Sequence, residues 1–330
     1  MTRQRILPAD LLRFLVAAMC LPFCFLGAGC SRQEAAPLRV GSSMWPGFEA
    51  FYVARELGYW NADQTRLVEY ASTSDTIRAF RNGTIDGGMV TLDEALLLTE
   101  DAADIRVVMV ADVSNGADVI LAKPEFGGMR DLKGHRIGAE TTALGAYVLL
   151  RALQLSGLTR EDVEIVPLEF SEHEAAFTHG IVDAVVTYEP TRSKLRNAGA
   201  RQIFDSSQVP GEIVDVLVIR AEYVRAHPDA VQLLLRSFYR AQRDYKERPQ
   251  DFVRIAAARE HTTPDEFRSS LALLHLLDAK ESKAMLMGQS PALLKNARSL
   301  ATLMIDQRLL RKTVDVESLF DERMLDGIYP

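Results

Sequence analysis

The chain spells the same α/β unit twice. Arg39-Val40-Gly41 returns as Arg136-Ile137-Gly138, Ser74-Asp75 as Ser171-Glu172, Ala79-Phe80 as Ala176-Phe177, Gly83 as Gly180 and Ile85-Asp86 as Val182-Asp183, each 97 residues later. Between Ser74 and Asp86 five of thirteen positions are identical at that offset, where ordinary composition gives roughly one. Past a one-residue slip at Gly87-Gly88, Val90-Thr91-Leu92-Asp93 answers Val186-Thr187-Tyr188-Glu189. A repeat of this length predicts two lobes of similar build.

Within each copy, short apolar runs alternate with helical spacing. Leu38–Gly41 reads as a strand, and Ala50, Val53, Ala54 and Leu57 as one helix face ending at Gly58. A strand near Leu67–Tyr70, a helix from Asp75 to Arg81 and a strand from Ile85 to Thr91 follow. This βαβαβ order predicts a parallel sheet with right-handed crossovers. Two longer segments, Val107–Pro124 and Gln202–Arg220, each read strand, turn, strand, which predicts a hinge of two crossing strands. Beyond Arg220 only helices are expected, with Pro228, Thr263-Pro264 before Glu266, and Ser290-Pro291 as start signals. The expected fold class is therefore α/β, two Rossmann-like lobes joined by crossing strands, with the C-terminal helices packed on lobe one. Residues 38–112 plus 213–330 make lobe one and residues 113–212 lobe two.

The N-terminus predicts export. Arg3, Arg5 and Arg13 precede an uncharged stretch from Phe14 to Gly29, broken by Pro22, that ends at Cys30. Such a stretch is shorter than the ~20 residues that span a bilayer, and a basic start with a short apolar run suits a cleaved signal peptide over residues 1–29. Gly27-Ala28-Gly29-Cys30 resembles a bacterial lipobox, which implies lipidation of Cys30, a tether over residues 30–37 and attachment to a membrane from the periplasmic side. Ser31 after the cysteine favours the outer membrane by resemblance to enterobacterial sorting. Removing residues 1–29 leaves 35 basic and 44 acidic residues, a net charge of −9. That balance argues against nucleic acid as a partner.

Catalytic and metal chemistry find no foothold in the text. The three cysteines are Cys20, Cys24 and Cys30, so the body has no thiol for a disulfide, a zinc site or a nucleophile. The histidines show no ligand spacing, and His173 and His179 are expected on a surface helix and its exit. Neither a Gly-x-Ser-x-Gly elbow, a Walker-type loop nor a Gly-x-Gly-x-x-Gly occurs. We expect no catalytic residue, no metal and no cofactor.

Ligands of open α/β sheets sit beyond the carboxyl ends of the strands. In lobe one that rule gathers Ser42, Ser43, Trp45, Ser72, Thr73, Ser74, Thr91 and Asp93. Lobe two adds Glu140, Thr141, Thr142, Glu169, Tyr188 and Glu189, and the crossing segments add Asn115, Asp118 and Asp215. Of these, Glu140, Glu169 and Asp118 are left outside the candidate ligand set. The gathered residues are hydroxyls, carboxylates and aromatics, without a basic side chain. An anion needs donors, and buried carboxylates need a cation or N–H partners. The expected ligand is thus a small nitrogen-containing organic solute, with a nitrate- or sulfonate-type anion as the alternative.

Four blocks also resemble a known family. Val40-Gly41-Ser42-Ser43 with Trp45-Pro46-Gly47 and Ala54–Trp60, Gly83–Gly88, Asp131–Gly138, and Val182–Pro190 are similar to periplasmic solute-binding proteins of the nitrate/sulfonate/taurine and thiamine-precursor class of ABC transporters. The resemblance implies a type II periplasmic-binding-protein clamp, a monomer that serves an inner-membrane permease and holds its ligand between lobes. It further implies a flat ligand sandwiched by Trp45, Phe48 or Tyr188 and hydrogen-bonded by Asp93 or Glu189. A lipid-anchored sensor reporting to a membrane signalling protein is the alternative use of the same clamp.

Overall fold

The computed structural model of the chain describes residues 36–100, 104–141, 144–287 and 292–328. The signal segment, Cys30 and Thr142 lie outside the described residues. β1 (Leu38–Ser43) leads through a 3-10 turn at Pro46–Phe48 into α1 (Glu49–Glu56), followed by β2 (Thr65–Tyr70), α2 (Thr73–Arg81), β3 (Gly87–Thr91) and α3 (Leu92–Glu100). β4 (Ile105–Ser114) and β5 (Val119–Ala122) form the first crossing. The second round runs β6 (Arg136–Ala139), α4 (Leu144–Leu155), β7 (Glu164–Pro167), α5 (His173–Thr178), β8 (Ala184–Thr187), α6 (Thr191–Asn197) and β9 (Arg201–Asp205). After β10 (Val214–Arg220) come α7 (Ala221–Ala226), α8 (Pro228–Glu247), α9 (Pro249–Arg259), α10 (Pro264–Leu271), β11 (Leu274–Leu276), α11 (Ala279–Leu286) and α12 (Ala292–Asp306).

Two sheets result, ordered β11-β4-β10-β3-β1-β2 and β7-β6-β8-β5-β9. Each holds a parallel triplet, β2-β1-β3 in one and β7-β6-β8 in the other. The parallel order expected of each βαβαβ unit holds, and the crossing strands add to it. β10 lies antiparallel to β3, and β5 antiparallel to β8, because each arrives from the other lobe rather than by a helical crossover. One correction is β11, a three-residue strand on the edge of β4 where only helices were expected.

The repeated text is a repeated structure down to register. Val40 and Gly41 face Gly87 and Gly88, just as Ile137 and Gly138 face Ala184 and Val185. Asp86 and Asp183, which read as simple turn residues, do more than turn the chain. Asp86 receives Nε and Nη2 of Arg39 at 2.8 and 2.7 Å, while Nη2 also donates to the Gly83 carbonyl at 3.1 Å. Asp183 holds Arg136 through the same atoms at 3.1 and 2.9 Å, with Nη2 on the Gly180 carbonyl at 3.1 Å. Both glycines sit at φ near +70°, the left-handed region where a side chain would strain the backbone. Each clasp ties the first strand of a lobe to the loop entering its third. Burial alone would push the Asp183 carboxyl up, but hydrogen bonds from Arg136 and Lys123 hold it well below the ordinary carboxylate range.

C-terminal helices cover the first sheet. α8 lies along α1, where the Phe51 and Phe238 rings sit 4.5 Å apart, and α12 packs on α3. Pro228 opens α8, and Thr263 caps α10 in a capping box with Glu266. Among the described residues no helix is long and apolar enough to cross a membrane.

Candidate functional site

The carboxyl ends of β1 and β3 meet the end of β8 across a small, partly open cavity of about 20 Å³. That is room for about one water molecule, so a solute enters only as the lobes part. Ser43, Trp45, Phe48, Thr73, Thr91, Tyr188 and Asp215, all expected at the site, line it together with Asp118 and Leu144. Lobe one supplies most of the wall, lobe two closes it with Tyr188, and the crossing strands floor it with aspartates.

Local chemistry explains the placement. Gly47 follows Trp45-Pro46 because a Cβ there would lie 1.9 Å from Oδ2 of Asp112. The carboxylate of Asp112, in mid-β4, thereby reaches the Trp45 indole, whose Nε1 donates to Oδ1 at 3.3 Å. Asp112 and Asp215 are register partners on β4 and β10, so two acidic side chains lie on neighbouring strands. Ser43 and Thr73 join hydroxyls at 3.2 Å along the opposite wall.

Electrostatics set this cavity apart. Asp112, Asp118 and Asp215 are buried, and among the described residues the Oδ2 atom of each lacks a hydrogen-bond donor. Burial pushes the Asp112 and Asp118 carboxyls up to about 7, and Asp215 rises well above its ordinary range through burial and the Asp112 and Asp118 charges. Behind them, burial raises Asp93 to about 6, and burial with the Asp93 charge raises Glu94 to about 8. Glu94 accepts hydrogen bonds from the Thr91 and Leu144 amides at 2.9 and 3.2 Å, which ties it to both lobes. Among the described residues no basic side chain lines the cavity. The site is a pocket of carboxyl groups lacking counter-charge, walled by aromatics and hydroxyls.

Other expected residues do different work. Ser42 shares a hydrogen bond with the Tyr52 hydroxyl, and Ser72 caps α2 by accepting from the Asp75 amide at 3.2 Å. Ser74 donates to Glu140 across the lobes at 2.9 Å, and burial pushes Glu140 up to about 7. Asn115 is exposed, its amide on the Leu273 carbonyl at 2.8 Å. Thr141 faces Leu149 and Leu309 in a separate crevice. Glu189 is turned to its own helix, accepting from Arg192 Nη1 at 2.9 Å and the Ser193 amide at 3.1 Å, so it caps α6 rather than the ligand. Asp93 is buried but does not line the cavity.

Aromatic geometry corrects the sandwich. Trp45 and Tyr188 do not face each other across a slot; they touch edge to face at 5.9 Å, and Tyr188 stacks on Phe170 at 4.3 Å. The two rings form a lid corner in which Trp45 is buried, because its indole is drawn inward by Asp112. His173, expected on the surface, is buried with Nδ1 3.2 Å from the Thr187 hydroxyl, and burial lowers it to about 4. Among the described residues no cluster of His, Cys, Asp and Glu has the arrangement of a metal site. Asp112 and Glu94 escaped the strand-end rule, one lying inside a strand and the other inside a helix. The signal for Asp112 was present: an acid in the apolar run Val107–Val113.

The sequence pattern of the NMT1-like family matches residues 31–259. This chain belongs to the NMT1-like family. Among this family member's relatives, the taurine-binding periplasmic protein of Escherichia coli (strain K12) is 26% identical over 184 residues, which span 55% of this chain and 57% of that protein. The match thus covers little more than half of that relative's length. In structure, the NMT1-like chain superposes on the alkanesulfonate-binding protein SsuA from Xanthomonas axonopodis pv. citri bound to MOPS with a TM-score of 0.76 at 23% identity, covering 87% of this chain and 99% of that one. The two-lobed α/β fold is therefore that of these binding proteins. An enzyme shares it too: the desulfurization enzyme DSZB superposes with a TM-score of 0.65 at 17% identity, covering 89% of this chain and 98% of that one.

Proposed function

We propose that this protein is the solute-binding component of an ABC importer, acting outside the cytoplasm, and that its solute is a small nitrogen-bearing cation such as an amine or aminopyrimidine. Export on the signal of residues 1–29, anchoring through lipid on Cys30 in the outer membrane and a monomeric clamp hinged near residues 113 and 213 complete the proposal. Binding without chemistry accords with relatives named as binding proteins. The observation that supports the ligand reading is the pair Asp118 and Asp215 lining the cavity, with Asp112 buried beside Asp215, whose Oδ2 atoms meet no cation among the described residues. An ammonium or amidine group entering the cavity supplies the missing charge and N–H donors together. Trp45 and Tyr188 then offer it ring faces and edges.

A second reading follows the name of the taurine-binding relative. An aminosulfonate would set its ammonium on the Asp112–Asp215 pair and its sulfonate on the hydroxyls of Ser43, Thr73 and Thr91. Both readings demand nitrogen, which a plain alkanesulfonate lacks. Mass spectrometry of the small molecule that copurifies with the protein, followed by calorimetric titration with an amine, an aminosulfonate and an alkanesulfonate, decides the matter. The amine is expected to bind, and to bind far more weakly to Asp215→Asn. An alkanesulfonate that binds equally well to both proteins overturns the cation reading.

A further inference from the structure

A second, open cleft, larger than the ligand cavity, lies beside α8 and offers about 620 Å³. Its rim is cationic. Arg236, Arg240, Arg243 and Lys246 follow one another along α8 over about 15 Å of helix, and Lys280 faces them from the first turn of α11. Among the described residues, Arg236, Arg243, Lys246 and Lys280 have no carboxylate within 4 Å, while Arg240 lies 3.7 Å from the centre of the Tyr59 ring. Asp278 also lines the cleft, but its carboxylate is taken by the backbone amides of Lys280 and Glu281. The Gln242 side chain lining it is 6% exposed, and its Nε2 donor has no acceptor. Leu233 and Ile328 add apolar surface. In a chain of net charge −7, this is a concentrated positive face with a donor buried inside it.

Its position matters as much as its charge. Ser43, at the carboxyl end of β1, lines the ligand cavity, whereas Leu38, at the amino end, bonds its amide to the Gln64 carbonyl at 3.0 Å. Gln64 lies five residues past Tyr59 in the cleft wall, about 17 Å of chain at most. The segment preceding Pro37 therefore joins the body within reach of this cleft, at the end of β1 away from the ligand. Residues 30–37 extend over about 28 Å at most, so a membrane-anchored Cys30 keeps the cleft close to lipid headgroups.

We propose that this cleft binds the phosphate headgroups of anionic phospholipid and seats the protein on the membrane with its ligand cavity directed away. Arg and Lys on the rim meet phosphate oxygens, as guanidinium and ammonium groups do. The Gln242 amide donates to the headgroup that enters, and Leu233 and Ile328 lie against its apolar part. This inference is independent of the ligand's identity.

The test uses the full chain with vesicles of phosphatidylcholine, alone or mixed with phosphatidylglycerol. Amine labelling of Lys246 and Lys280, and amide exchange over the second half of α8, report on the cleft. Protection is expected only with phosphatidylglycerol, and is expected to vanish at high salt. Arg243→Gln and Lys246→Gln, both at exposed positions, should each weaken it about fivefold without altering the melting temperature. Equal labelling with neutral and anionic vesicles overturns the proposal. So does equal protection by inorganic phosphate without vesicles, which would assign the cleft to a free anion.

Discussion

Replacing Asp118 by Asn separates the charge of the cavity from its shape. Asp118 is buried, and burial together with the Asp93 charge pushes its carboxyl up to about 7 against the pull of the Ser114 hydroxyl. In the unfolded chain an aspartate titrates near 3.9. The folded value is the higher one, so the native state holds more protons between about pH 4 and 7. The stability this group contributes is complete below about pH 4 and is lost as pH rises through about 7. Three units at 1.36 kcal/mol each make about 4 kcal/mol. Asn cannot ionise. The ligand-free Asp118→Asn protein should therefore match the wild type near pH 4 and exceed it above pH 7 by up to that amount, a difference on the order of 10 °C for a domain of this size. Calorimetric melting of both proteins across that range measures it. With a cationic solute the order reverses: the wild type ionises Asp118 and releases about half a proton on binding at neutral pH, visible as a buffer-dependent binding enthalpy, while the variant loses roughly 30-fold or more in affinity. Parallel melting curves, or a wild-type affinity that rises on acidification, would refute the account.

The other expectations are more local. Trp45 lines the cavity and Trp60 does not, so ligand-induced tryptophan fluorescence should disappear in Trp45→Phe; a full response in that variant removes the indole from the site. Asp183→Asn breaks the lobe-two clasp at Arg136 and should lower the melting temperature by several degrees while leaving the dissociation constant unchanged, as a melt and a titration will show. Glu189→Gln removes a cap from α6 rather than a ligand contact, and the same titration should find no loss of affinity. Cys30→Ser should abolish incorporation of labelled fatty acid, and equal labelling of the variant would dismiss the anchor.

The architecture was legible because it is written twice. A constant offset preserved Arg39 with Asp86 and Arg136 with Asp183, and the structure keeps both pairs in one register. Periodicity could not reveal their partnership, since an aspartate before a strand looks the same whether it caps a turn or grips an arginine of the neighbouring strand. The strand-end rule found Ser43, Trp45, Thr73, Thr91, Tyr188 and Asp215 because topology alone carries those positions to the cavity. It failed for Glu189, where a helix following at once supplied nearer donors in Arg192 and Ser193. It also failed for Asp112, which reaches the site from the middle of β4 only because β10 sets Asp215 beside it and Gly47 leaves room for its carboxylate. Contacts made by non-local pairing leave no local period to read.

The balance of forces across the two lobes ties the acidic cavity to the clamp. Among the described residues the lobes are joined around it by Ser74 to Glu140, the Leu144 amide to Glu94, and Arg78 to Glu169 at 3.4 Å. The last pair is half-exposed on both sides, and exposed ion pairs contribute about 0–1 kcal/mol. The first two rely on Glu140 and Glu94, which burial has raised to about 7 and about 8. Closing the lobes therefore desolvates several carboxyl groups and returns only a weak surface pair and two amide or hydroxyl bonds, unless those carboxyls take up protons. A cationic solute bound as proposed would change that balance, because its positive charge would offset one of the cavity carboxylates, Asp118 or Asp215, without proton uptake. On the proposed function, closure and ligand charge would be one energetic event: the acids whose burial is costly at neutral pH would be the groups through which a cationic solute stabilises the closed lobes.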